Sequence, residues 1–188
     1  INPLLITPEG LPVAVDALVI KGDPVTEKVF TPPVSPADIA PLFYPRSVAF
    51  VGASGRMGTW GYTLLSNTIG GGFNGEIYLV NPKGGTIAGR PVYQSVADIP
   101  GPVDVAVVSI PAKMVPALIP EFEKKGIANM LLIASGFAET GEAGVKKEKE
   151  LIDQARAAGI RIIGPNTMGI CNPHINFVLR FCLSFFKA

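Results

Sequence analysis

Seven residues, Gly52-Ala53-Ser54-Gly55-Arg56-Met57-Gly58, stand directly after an apolar run (Ser47–Val51) and directly before a helix-compatible stretch. Their chemistry is anion binding. In a GxxGxxG spacing Gly52 permits a tight turn, Gly55 lets the backbone come close to an anion, and Gly58 lets the following helix lie near the sheet. The start of that helix offers free N–H groups and roughly half a positive charge, both suited to phosphate. Ser54 adds a hydroxyl donor, and Arg56 and Met57 complete the loop.

The end of the next apolar run discriminates among nucleotides. A nicotinamide dinucleotide site places a carboxylate there, to accept from the adenosine ribose hydroxyl. This chain has Asn81-Pro82-Lys83-Gly84-Gly85 instead, and Glu76 falls at the opposite end of the run. Lys83 favours a phosphorylated ribose, either the 2′-phosphate of NADP or the 3′-phosphate of coenzyme A (CoA). A third run ends in Ile110-Pro111-Ala112, where proline disfavours helix and offers an apolar ledge for an adenine face. Two more glycine-bearing segments, 134–141 and 164–169, follow later runs and are expected to join the same site.

The elements that position these loops follow from apolar patterning. Short runs rich in Val and Ile at Ser47–Val51, 77–80, 103–110, 130–133 and Arg161–Ile163 predict strands, each bounded by Gly, Pro or Asn. Helices are predicted at 58–69, 115–125 and 143–158, the last with a Lys146/Glu150 pair one turn apart and Gly159 just past its end. Ser95 is a candidate cap for a single turn within 93–99. Alternating strands and helices predict an α/β, Rossmann-like, doubly wound parallel sheet with ligands at the carboxyl ends of its strands. Near-balanced charge, 16 Lys and Arg against 15 Asp and Glu, argues against a nucleic-acid partner and against general attraction to anionic membranes. The thiols Cys171 and Cys182 form neither a CxxC pair nor a disulfide framework, which points to a reducing, cytoplasmic setting.

Taken in order, YPRSVAFVGASGRMG, YLVNPKGG, SIPA, SGFAETG and GIRIIGPNTMGICNP resemble the CoA-binding domain of ADP-forming acyl-CoA synthetases, acetate–CoA ligase among them. They resemble the α subunit of succinyl-CoA synthetase more distantly. The resemblance covers residues 42–173 and implies that Gly52, Ser54, Gly55, Arg56, Met57 and Gly58 line the CoA phosphates. It also implies that Asn81 and Lys83 serve the phosphate end, and that Ile110, Pro111 and Ala112 flank the adenosine. Thr167 stands where the succinyl enzymes carry cysteine. His174, the one histidine, lies in no family motif and reads as a loop residue. No catalytic residue is assigned, because the phosphohistidine of such enzymes belongs to a further domain.

The beginning of the chain fits the same family. Two apolar runs around Pro8-Glu9-Gly10 predict a β-hairpin over 4–20. Ile1-Asn2-Pro3-Leu4 and Val15-Asp16-Ala17 resemble the final hairpin of an ATP-grasp domain, which implies that Asn2 and Asp16 are orphaned ligands of a Mg²⁺ site. The expected layout is that hairpin remnant (1–22), a stiff proline-rich linker (23–41), the CoA-binding domain (42–173) and an aberrant tail (174–188). The chain opens without methionine or a leader-like run, and its aromatic-rich end is too short to span a bilayer. Both features read as those of a fragment. The missing ATP-grasp and phosphohistidine domains are then the partners, with ATP/ADP and Mg²⁺ needed only by the full-length enzyme. The isolated chain is expected to be inactive. Two alternatives stay open: a stand-alone CoA-binding regulatory module, and an NADP-dependent reductase domain.

Overall fold

Strand-forming runs and turn residues build two separate units, Ile1–Pro33 and Val34–Ala188, in a computed structural model. It describes residues 4–14 and 34–180, the first three by their backbone alone. Asn2, Asp16, Cys182, the first part of the expected linker and the end of the tail lie outside the described residues. In the first unit β1 (Leu4–Ile6) pairs antiparallel with β2 (Pro12–Ala14). The Pro8-Glu9-Gly10 turn closes through Gly10 N–H donating to the Thr7 carbonyl at 2.9 Å. The turn falls where the sequence placed it, and residues 15–20 of the expected hairpin lie outside the described residues.

The second unit opens with a helix where extended chain was expected. Ser35 caps α1 (Pro36–Phe43) by accepting from the Ala37 N–H at 3.3 Å. Pro36 occupies the first turn, where a missing N–H costs nothing, and Leu42 is buried on the sheet, so two prolines do not prevent the helix. The proline-rich stretch is therefore not extended to its end.

Next come β3 (Ser47–Val51), α2 (Trp60–Gly70), β4 (Glu76–Val80), β5 (Thr86–Ile87), β6 (Arg90–Tyr93) and β7 (Val105–Val108). They are followed by α3 (Ile119–Lys125), β8 (Asn129–Leu132), α4 (Glu142–Ala157) and β9 (Arg161–Ile163). These strands form one sheet in the order β5-β6-β4-β3-β7-β8-β9, parallel except for β5. The three strands β3, β7 and β8 are buried along their whole length, as strands covered on both faces must be. One face packs Val115, Ile119, Phe122, Leu151 and Ala155 of the α3 and α4 side. The other packs Leu42, Leu64 and Leu65 of α1 and α2. The Ser95 cap holds a single 3₁₀ turn at Val96–Asp98 with a reciprocal capping box.

Two further regions depart from expectation. The edge pair β5 and β6 follows the Gly84-Gly85 turn, where no strand was predicted. The supposed aberrant tail begins inside a second hairpin, β10 (Gly169–Asn172) with β11 (Phe177–Arg180), whose Phe177 and Leu179 are fully buried. Thr68 Oγ1 donates to the Val178 carbonyl at 3.2 Å and Asn67 Nδ2 to that of Arg180 at 2.8 Å, so α2 satisfies the outer edge of β11. The hairpin covers the sheet face beside α2, and its apolar alternation was masked by Pro173 and the polar residues of its turn.

Candidate functional site at the carboxyl edge of the sheet

The central strand β3 delivers the glycine loop to the carboxyl edge. Gly52 has φ +92°, and a Cβ there would stand 2.8 Å from Ile110 Cγ2 and 3.1 Å from the Ser109 carbonyl. Glycine is thus required both by conformation and by the approach of the third loop. Gly55 has no such constraint, its nearest neighbour being the Ile87 side chain at 3.8 Å.

Gly58 corrects the sequence reading. Its φ is +83°, yet a Cβ there would meet nothing within 4 Å, so it turns the chain without packing α2 on the sheet. The close approach belongs to Gly61, where a Cβ would fall 2.4 Å from the Gly52 carbonyl oxygen. A glycine in the first turn of a helix carries no sequence signal by itself, and Gly61 merely continues the three-residue spacing of Gly52, Gly55 and Gly58.

Side-chain hydrogen bonds set the shape of the loop. Ser54 Oγ accepts from the Arg56 N–H at 3.0 Å, leaving its own hydroxyl proton available. Thr59 caps α2, donating its hydroxyl to the Arg56 carbonyl at 2.8 Å and accepting from the Tyr62 N–H at 3.3 Å. Gly52 and Ala53 N–H both reach the Val80 carbonyl, at 3.0 and 3.2 Å. Asn81 joins two loops: Nδ2 donates to the Ala53 carbonyl at 2.9 Å, while Oδ1 accepts from the Lys83 N–H at 3.0 Å. Sequence placed Asn81 in the site; its bridging role needed the fold.

Arg56, Met57, Gly58 and Lys83 are exposed on this edge, with Pro111 exposed and Ile110 and Ala112 half-buried beside them. The loop after β8 joins the third loop directly, since a Cβ on Gly136 would stand 3.3 Å from that of Ala112. The Asn166 N–H reaches back to the Ala134 carbonyl at 3.1 Å and ties in the loop after β9. All of the described candidate residues therefore sit on loops leaving the carboxyl ends of β3, β4 and β7. His174 does not join them. It lies with Tyr44, Arg46, Phe73 and Asn176 around a cavity of about 540 Å³ at the amino edge.

The electrostatics of the edge combine Arg56, Lys83 and Lys113 with an internally satisfied carboxylate, Glu139. The Gly136 N–H, and more weakly those of Glu139 itself and Phe137, hold the Glu139 carboxyl below its ordinary range. Sequence reasoning passed over Glu139. Among the described residues no group of three or more His, Cys, Asp or Glu side chains is placed to hold a metal, and no helix is long and apolar enough to cross a membrane.

The family model for a CoA-binding domain matches residues 46–173. An ADP-forming acetate–CoA ligase II of Archaeoglobus fulgidus is 39% identical over 183 residues, 97% of this chain and 26% of that relative. The α subunit of an ADP-forming acetate–CoA ligase I of Pyrococcus furiosus is 48% identical over 133 residues, 69% of this chain and 29% of that subunit. Among solved structures, a dinucleotide-forming acetyl-coenzyme A synthetase of Ca. Korarchaeum cryptofilum, in complex with phosphate and ADP, superposes with a TM-score of 0.72 at 34% identity. That match covers 76% of this chain and 30% of the other. The chain thus spans between a quarter and a third of the length of these relatives.

Proposed function

We propose, from the premise that this chain belongs to the CoA-binding domain family, that its carboxyl edge holds coenzyme A for an ADP-forming acyl-CoA synthetase. One observation carries the reading. The glycine loop is fastened through Asn81 to a loop that ends in Lys83, with no carboxylate at the end of β4. The residues present fit the ligand. The N–H groups of Ser54, Gly55, Met57 and Gly58 and the start of α2 suit its diphosphate, and the Arg56 side chain adds a cation. Lys83 suits the 3′-phosphate that distinguishes CoA from NAD, while Ile110, Pro111 and Ala112 give the adenine an apolar flank. The thiol end of the ligand supplies the nucleophile; the chain's own residues bind and orient it.

In the whole enzyme we place phosphate transfer from ATP, through a histidine, to a carboxylate on domains outside this chain. The acyl phosphate then meets the CoA held here. Asn2 and Asp16 are proposed as the contribution of the first unit to the Mg²⁺–nucleotide site, completed by an ATP-grasp domain. The protein's work in such chemistry is positioning and charge stabilisation, and we propose that the isolated chain forms no acyl-CoA.

A melting scan separates CoA from the nicotinamide cofactors. CoA at about 100 times its Kd stabilises by roughly 2.7 kcal/mol, which for a chain of this size raises Tm by roughly 5–11 °C. A rise with NADPH and none with CoA would assign the edge to a reductase instead.

A further inference from the structure

The loop after β8 owes its shape to a residue outside the ligand-facing set. It leaves Ile133 at the sheet edge, reverses at Gly136 with φ +107°, and drops Phe137 into the core, where it is 2% exposed. Three consecutive N–H groups would be unpaired by that path, and carboxylates take all of them. Glu139 accepts from Gly136 through Oε1 and from Phe137 through Oε2, the latter at 3.2 Å, while Glu148 of α4 accepts from Ala138 at 3.0 Å. The Phe137 carbonyl is held from the other side by the Thr140 N–H at 2.9 Å and its hydroxyl at 2.8 Å. Glycine at 144 lets α4 approach it, since a Cβ there would fall 1.8 Å from that oxygen. The loop is thus fastened from within, and Gly136 stands against Ala112 of the adenosine-flanking loop.

We infer that Glu139 is a positioning residue for the ligand site: its carboxylate latches the Ser135–Phe137 turn in the form that sets Ala112 and Ser135 against bound coenzyme A. The inference rests on the CoA reading above. Glu139 itself is exposed, so removing it unfastens the turn without emptying a packed position.

The test is CoA binding by calorimetry on the full chain and on Glu139→Ala and Glu139→Gln, with amide hydrogen exchange at Gly136 and Phe137. Loss of a carboxylate acceptor predicts about three- to tenfold weaker binding in Glu139→Ala and faster exchange at both amides, with Tm lower by a few degrees at most. Glutamine, keeping one acceptor oxygen, restores most of the affinity. Equal affinity in all three chains would overturn the latch. Tighter binding in Glu139→Ala would also overturn it, since the carboxylate would then occupy ground the ligand needs. Failure of the parent chain to bind CoA at all would instead overturn the proposed function, so the two failures are distinguishable.

Discussion

The two edges of the sheet use opposite means. At the carboxyl edge the chain is turned by glycines, with positive φ at Gly52, Gly58, Gly84, Gly85, Gly136 and Gly164, and most side chains there are exposed. At the amino edge polar side chains bolt the strands together. Asp104 accepts from the Arg46 N–H at 2.7 Å and from its guanidinium at 3.3 Å, and the Asp104 N–H donates to Ser47 Oγ at 3.0 Å. Asn129 Nδ2 donates to the Asp104 carbonyl at 3.1 Å, and Arg161 reaches Asn129 Oδ1 at 3.3 Å. That chain of contacts runs across β3, β7, β8 and β9 and keeps their order. The lesson is a division of labour: glycine-turned loops that carry exposed cations on one edge, and polar side chains that tie neighbouring strands together on the other.

The largest effect should come from Gly61→Ala at the carboxyl edge. The added methyl meets a backbone oxygen at 2.4 Å, so α2 must move off β3 and carry the glycine loop with it. Overpacking costs about 1–3 kcal/mol, and better helix propensity returns at most about 1 kcal/mol. The expected outcome is a Tm lower by roughly 2–8 °C, together with CoA affinity reduced more than tenfold. Unchanged affinity in a calorimetric titration would separate the loop from the ligand.

Lys83→Ala should divide the two edges more sharply. The side chain is exposed and supports nothing in the fold, so Tm should hold. CoA should bind more weakly by about 1–3 kcal/mol, the range of a charge-assisted contact, while dephospho-CoA should bind as before. Equal losses for both ligands would move the lysine away from the 3′-phosphate.

Asp104→Ala is the converse. Its side chain is 15% exposed against 87% for Arg46, so screening discounts the ion pair and the loss is chiefly the orphaned Arg46 N–H. Stability should fall by about 1 kcal/mol with CoA affinity intact. A loss of affinity matching that of Lys83→Ala would show that the edges are not independent.

The same contrast explains what could be read before the fold was known. The carboxyl edge was legible because its parts are local: a glycine loop directly follows β3, and Asn81 and Lys83 directly follow β4. The amino-edge network was invisible because Arg46 and Asp104 are 58 residues apart, and Asn129 and Arg161 are 32 apart. Gly61 and Glu139 were missed for a related reason. Each acts through backbone atoms, Gly61 on Gly52 and Glu139 on Gly136, and no side-chain pattern marks such a contact. Helix α1 and the β10–β11 hairpin were concealed by proline, whose cost depends on the turn it occupies: Pro36 sits in a first turn and Pro173 in a hairpin loop.

The central claim, that the carboxyl edge is where CoA lies, is tested most directly by assigning backbone amide resonances and titrating the chain with CoA. The account predicts shifts concentrated at residues 52–60, 81, 83–85, 110, 112 and 135–137, with the amides of Arg46, Asp104, Asn129 and His174 left in place. Shifts gathered around His174 and the amino-edge cavity instead, or the carboxyl-edge pattern produced by NADPH and not by CoA, would contradict it.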